Sequence, residues 1–273
     1  MMRSFTAGLS LCLASVAALF LPGCANVPAF MPEKQLAAQA ATEFDQMKQE
    51  LKVSDNPEYV NMVKRVGNRI APIAGQDMET TEWEFVVFDD PAVNAFAMPG
   101  GKVAVFTGLL ELVDGNEDEL AAVMGHEIAH VALKHSNKQM SSEMLRQGGG
   151  AALAILLSRQ EKSAVDPKLV QQAYDLGTQV GLMLPYSREH ELQADELGLY
   201  YAAKAGYDPE AAVDLWQKMA EAGGEQPPEF LSTHPSHGTR IERLQELVPV
   251  VKKRIQAEED EAYLRNQGLL DEA

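Results

Sequence analysis

The chain has 273 residues, 46% of them hydrophobic, which is enough to bury a sizeable core. Its 40 acidic residues against 23 basic ones give a formal net charge of −17, which argues against nucleic acid and anionic lipid as partners. No repeat period runs through it, so a repeat array is excluded and one compact domain with peripheral helices is expected.

At the amino terminus Arg3 supplies a positive start, Phe5 to Leu21 is an uncharged apolar stretch, and Leu21-Pro22-Gly23-Cys24 follows. This resembles a bacterial lipoprotein signal ending in a lipobox, with the small Gly23 favouring cleavage before Cys24. Residues 1–23 are then a signal peptide and Cys24 a lipidation site. Residues 24–32, with Asn26, Pro28 and Pro32 and no helical period, form a lipidated stalk. A permanent transmembrane anchor is the rival reading, because the stretch is near the minimum spanning length of about 17 residues. Cleavage removes Cys12 and leaves Cys24 as the sole cysteine, so no disulfide is expected. Acyl chains on Cys24 would make a membrane tether, and stable anchoring needs more than one chain. Ala25 in place of Asp points, by analogy with other bacterial lipoproteins, to the outer membrane.

Residues 33–273 carry the domain proper, with a core of about 58–247 and an acidic helix after it, the cluster Glu258 to Glu261 lying on a solvated face. Leu36, Ala40, Phe44, Met47 and Leu51 step by three or four and predict a first helix. Asn56-Pro57 starts a second, whose stripe Val63, Val66, Ile70 and Ile73 runs to Gly75. Trp83 to Phe88 and Lys102 to Thr107 are β-rich runs, the second set off by a Gly100-Gly101 turn, so a small sheet is expected ahead of the next helix. The fold class is therefore α+β and mostly helical.

After the Asp114-Gly115 turn, Asn116 followed by Glu119 marks a capped helix start, and Leu120, Val123, Met124, Ile128 and Val131 continue at helical spacing. Inside that run His126-Glu127-Ile128-Ala129-His130 reads HExxH. Two residues four apart on a helix are about 40° apart around the axis, so both imidazoles project from one face and can grip one ion. Glu127 lies beside them, placed as a general base. The pattern predicts a zinc-dependent peptidase, and its setting in a buried helix weighs against two ordinary core histidines.

The triplet Gly148-Gly149-Gly150 is expected to end that helix after Gln147. Ala151 to Leu157 is wholly apolar but too short to cross a bilayer; it is expected to be a buried helix or a mobile hairpin rather than a membrane contact. Another helix should start at Asp166-Pro167 and run to about Leu184.

A catalytic zinc takes three protein ligands and keeps one place open, so HExxH needs a third partner downstream. Ser187 can cap a helix that carries Glu191 and Asp195 four apart on one face. Glu191 would bind the ion, while Asp195 would accept the free ring N–H of a zinc histidine and fix its tautomer. The bland alternative is an acidic surface face. His190 competes as a ligand but points about 100° away from Glu191. Glu189 has no carboxylate four residues on. His135, nine past His126, is expected on the opposite helix face and His237 in a loop, both without a site role.

HExxH, a long helix, then the run SREHELQADELG from Ser187 to Gly198 resembles the gluzincin metallopeptidase family that includes the CAAX prenyl endopeptidase, HtpX, BepA and LoiP. Asn94-Ala95-Phe96-Ala97-Met98-Pro99-Gly100-Gly101, the Val103 to Leu110 run, and Thr233-His234-Pro235-Ser236 ahead of Arg240 match as well, so the likeness spans roughly residues 58–247. The resemblance implies a gluzincin-type domain with one Zn2+ held by His126, His130 and Glu191, and with Glu127 catalytic. It also sets His234 over the cleft, as a donor to the oxyanion or as a cap on the zinc; the plainer alternative is an exposed loop histidine stiffened by Pro235. Asn94 and the edge of the Lys102 to Thr107 strand are expected substrate contacts, an extended peptide adding itself by backbone bonds. The chain lacks the multiple spans of the membrane-embedded members and the helical-repeat extension of BepA, so LoiP-like lipoproteins are the nearest type.

The expected activity is a zinc metalloendopeptidase, lipid-anchored in the outer membrane and facing the periplasm. It would cut unfolded or misassembled envelope proteins, with other envelope assembly factors as possible partners. Two rivals stand beside it: an assembly factor or chaperone whose zinc site is held shut, and a metallohydrolase acting on non-peptide substrates.

Overall fold

The computed structural model describes residues 28–75, 78, 81–158, 167–178, 184–222, 234 and 240–267. Cys24, the segment 1–23, the first residues of the stalk, and Thr233, Pro235, Ser236 and His237 lie outside the described residues. The described residues fall into two compact units, one within 30–139 and 188–267 and one within 140–187 together with residues 28 and 29.

In the larger unit, α1 (Glu33–Glu50) buries Leu36, Ala40 and Phe44, as its stripe requires. α2 (Pro57–Ala74) is capped by Asn56, whose side chain accepts from the Glu58 N–H, with Pro57 in the first turn where no donor is lost. Val63, Val66 and Ile70 are fully buried along it. At about 1.5–3 kcal/mol for each such side chain, the stripe outweighs the cost of Pro72 in its last turn.

Three strands follow: β1 (Glu84–Phe88), β2 (Ala95–Met98) and β3 (Lys102–Phe106), in the order β1-β3-β2. β1 runs parallel to β3 with Glu84 opposite Lys102, and β2 antiparallel with Ala95 opposite Val105. β3 is thus the central strand. Its Val103 and Val105 join the main core, while Ala104 and Phe106 join a second apolar cluster with Phe44 and Phe88. The chain turns from β2 into β3 at Gly100 and Gly101, both at φ near +80°, a conformation that a Cβ disfavours.

α3 (Thr107–Val113) ends in the left-handed Asp114 and Gly115, and α4 (Glu117–Ala132) begins at once. Asn116 caps α4 as expected, accepting from the N–H groups of Asp118 and Glu119 and donating to the Glu119 carboxylate. Acidic residues fill the first turn, where the helix dipole favours them.

Here the structure departs from the expected single helix up to Gln147. α4 stops at Ala132, Leu133 caps it, and Lys134 takes the left-handed φ of 58° before α5 (His135–Ser158) begins. Neither Gly nor Pro marks the break. α6 (Pro167–Thr178), α7 (Leu184–Lys204), α8 (Ala211–Ala222) and α9 (Arg240–Asn266) complete the described elements. Ser187 therefore lies inside α7 and is not its cap. No helix among the described residues is long and apolar enough to cross a membrane.

In the smaller unit the glycine triplet does not end a helix, and α5 runs through it. Tyr174 of α6 donates its hydroxyl to the Arg146 carbonyl at 3.1 Å, and a Cβ on Gly149 would lie 2.2 Å from that hydroxyl oxygen. The glycines make room for a ring instead of reversing the chain. The following apolar stretch is helical but not buried: Ala151, Ala152, Ala154 and Ile155 are exposed.

Candidate metal centre

Two helices bring the site together because they touch backbone to backbone. A Cβ on Gly125 of α4 would lie 2.6 Å from the Gly198 carbonyl oxygen, and one on Gly198 of α7 would lie 2.6 Å from the N and Cα of His126. This contact sets α7 close enough for Glu191, seven residues before Gly198, to reach the imidazoles of α4.

His126 Nε2 lies 3.0 Å from His130 Nε2 and 3.3 Å from Glu191 Oε2, and His130 Nε2 lies 3.4 Å from Glu191 Oε1. His234 is the fourth member: its Nδ1 is 3.1 Å from Glu191 Oε2 and 3.3 Å from His126 Nε2. The four ligand atoms lie within 4.8 Å of one another. A tetrahedral site with bonds of about 2.0–2.1 Å has edges of about 3.3 Å, so this donor set fits a single small divalent cation. His130 and His234 are half-buried, His126 and Glu191 buried.

Glu127 is 2% exposed; burial raises its pKa, against which the nearby His234 and His126 act and the Ala97 N–H of β2 donates a hydrogen bond. Its Oε1 makes no hydrogen bond among the described residues and lies 3.4 Å from His234 Nε2. Burial alone would also raise Glu191, but hydrogen bonds from His126 and His234 hold it well below the usual carboxylate range. For His126 burial works against the charge, yet Asp195 and Glu191 outweigh it and raise the pKa to about 9.

Asp195 stands where the i,i+4 argument puts it. His126 Nδ1–H donates to Asp195 Oδ1 at 2.9 Å, which keeps that proton on Nδ1 and makes Nε2 the nitrogen that would lose its proton as an ion binds. The same oxygen accepts from Arg240 Nη2, while Arg240 Nη1 lies 3.4 Å from Glu191. Arg240 is 6% exposed and its guanidinium stacks 3.8 Å over the Trp216 ring of α8. Sequence reasoning treated Arg240 only as a landmark and missed Trp216; a buried Asp beside a buried Glu calls for a cation, but nothing local says which.

His135 is not on an opposite face. The break at Lys134 turns it back onto the cluster, 3% exposed, with Nδ1 2.8 Å from His130 Nδ1. Its ring stacks on His190 at 4.0 Å and 13°. Burial and the His190 ring lower its pKa to about 3, so it is neutral at physiological pH, and burial likewise lowers His190 to about 4. His190 is therefore a packing partner of His135 and not a member of the ligand cluster. Asn94 is 7% exposed, and among the described residues its Oδ1 makes no hydrogen bond and no contact joins it to the cluster. The Lys102 to Thr107 segment offers no free edge, because β3 is paired on both sides and Thr107 opens α3. The edge beside the site is β2.

An HExxH helix crossed at a glycine contact by a second helix that returns a carboxylate defines a gluzincin-type metallopeptidase domain. The family model for Peptidase family M48 matches residues 57–248, and the chain belongs to that family. It is 39% identical to the mitochondrial metalloendopeptidase OMA1 of Schizosaccharomyces pombe over 189 residues, covering 68% of this chain and 52% of the relative. Against the human metalloendopeptidase OMA1 it is 36% identical over 180 residues, covering 63% and 33%. A putative beta-barrel assembly-enhancing protease of Vibrio cholerae is 30% identical over 261 residues, covering 88% and 52%. The chain thus spans about a third to a half of the length of these relatives.

Proposed function

We propose that the chain is a zinc metalloendopeptidase of the cell envelope, tethered through lipid on Cys24 to the outer membrane and facing the periplasm, that cuts unfolded or misassembled envelope proteins. The observation that carries the catalytic part is the spacing of the His126, His130 and Glu191 donor atoms at 3.0–3.4 Å with the Glu127 carboxylate beside them. The substrate class draws support from the beta-barrel assembly-enhancing name of the Vibrio cholerae relative.

His126, His130 and Glu191 would hold the zinc, which when bound supplies a Lewis acid and brings the pKa of a water toward neutrality. Glu127 takes the water's proton and returns it to the leaving amine, its Oε1, which has no hydrogen-bond partner among the described residues, being the acceptor. Asp195 holds His126 in the productive tautomer. An extended peptide adds to the β2 edge, next to the Ala97 N–H that meets Glu127, instead of to β3. His234 has two positions in this scheme. With Nδ1 against Glu191 and His126 it fills the fourth corner and closes the site; turned toward the substrate it donates to the carbonyl oxygen that gains charge.

That closing contact favours a second reading, an assembly factor whose site stays shut. Glu127→Gln separates the two. The enzyme should retain zinc but lose casein hydrolysis by about 10²–10⁴-fold, and with it the cellular role. Loss of hydrolysis with the cellular role intact would favour the assembly factor. Peptide fragments recovered from a purified protein substrate would dismiss a non-peptide hydrolase.

A further inference from the structure

His126 and His130 each present Nε2 to the cluster, and each therefore needs its proton on Nδ1. Asp195 does this for His126, but behind His130 no carboxylate makes the contact among the described residues. What lies there is a chain of hydrogen bonds whose polarity is set once His135 is neutral, the form that its burial against the His190 ring favours. Gln193 Nε2 donates to the Glu189 carboxylate at 3.0 Å, and this orients Gln193 Oε1 toward His135. The reversed amide would set oxygen against oxygen at Glu189. Gln193 Oε1, 3.2 Å from His135 Nε2, can only accept, so the His135 proton is on Nε2. His135 Nδ1 is then a lone pair, 2.8 Å from His130 Nδ1, which must donate.

We infer that His135, oriented by Gln193 and Glu189, is the positioning residue that fixes His130 as a metal ligand, accepting its Nδ1–H and leaving the Nε2 lone pair for the ion. This rests on the reading of His126, His130 and Glu191 as a metal site. Metal-bound histidines ordinarily pass their second N–H to a carboxylate, a carbonyl or water. Here a neutral imidazole does it, locked between the His190 ring on its face and Gln193 at its far nitrogen.

The test compares wild type, His135→Leu, His135→Asn and Gln193→Leu, each checked for folding by circular dichroism, for zinc affinity of the metal-free protein against a chromophoric chelator. Leucine keeps bulk but cannot accept, and zinc affinity should fall by about 10–100-fold. Asparagine offers an oxygen close to the Nδ1 position and should recover most of that loss. Gln193→Leu, on a half-buried side chain, should give a smaller loss in the same direction, and it carries the test if His135→Leu does not fold. Two-bond proton–nitrogen NMR of the metal-free wild type should show His130 protonated on Nδ1, with mixed tautomers in the leucine variant. Wild-type affinity in folded His135→Leu or Gln193→Leu, an asparagine variant as weak as leucine, or a His130 proton on Nε2 would each overturn the inference. A wild type that binds no zinc would instead remove the metal-site reading beneath it.

Discussion

The two imidazoles of α4 are four residues apart and face the same cluster, yet the ground behind them differs in kind. Behind His126 lies a buried ionic network of Asp195, Arg240 and Glu191, roofed by Trp216. Behind His130 lies a neutral relay of His135 and Gln193 that reaches charge only at the exposed Glu189. The first arrangement ties a ligand to fold stability, because a buried charge left without its partner costs far more than the pair contributes. The second ties a ligand only to hydrogen-bond direction, so it can fail without the fold failing.

That contrast can be broken most severely at Arg240. Arg240→Met leaves Asp195 and Glu191 with only the His126 and His234 rings to balance two buried carboxylates, and metal-free protein should lose about 3–5 kcal/mol of unfolding free energy in urea titrations. His135→Leu, by contrast, should weaken zinc far more than it weakens the fold. Gly198→Ala comes next. Its methyl would press on the His126 backbone, and overpacking of this kind costs about 1–3 kcal/mol, visible as a lowered Tm. The His130 tautomer should be unchanged in that variant, since the relay lies elsewhere. The smallest effect is expected at Lys134, whose φ of 58° brings His135 back toward the cluster. Lys134→Gly removes a Cβ penalty of about 1 kcal/mol and should leave zinc affinity as it was while raising Tm slightly. A fall in both would mean that the lysine side chain, not the turn, holds His135 in place.

Much of this centre was legible in the sequence, and for one reason. HExxH, the Asn116 cap and the Glu191–Asp195 pair all obey rules that act within four residues on a helix, so periodicity alone places them. What escaped depended on distant partners. β2 is four residues long and reads as a strand only once β3 lies beside it, and the central position of β3 is a matter of pairing order. The break at Leu133–Lys134 carries no Gly or Pro, so His135 was projected along a helix that had already ended. Gly148 to Gly150 carried the strongest local stop signal in the region, yet Tyr174 used the space and the helix continued. Arg240 lies 45 residues from the aspartate it neutralises, a separation at which no local pattern speaks.

The contact of Gly125 with Gly198 has a consequence for how the centre can change. Since main chain rests on main chain there, the bite offered to an ion is set by the spacing of two helical spines and not by any rotamer lining the cavity. Exchanging His234, or trimming residues around the rim, alters who may enter and how readily. To refit the site for a cation of another radius, one would have to begin with two residues that carry no side chain at all.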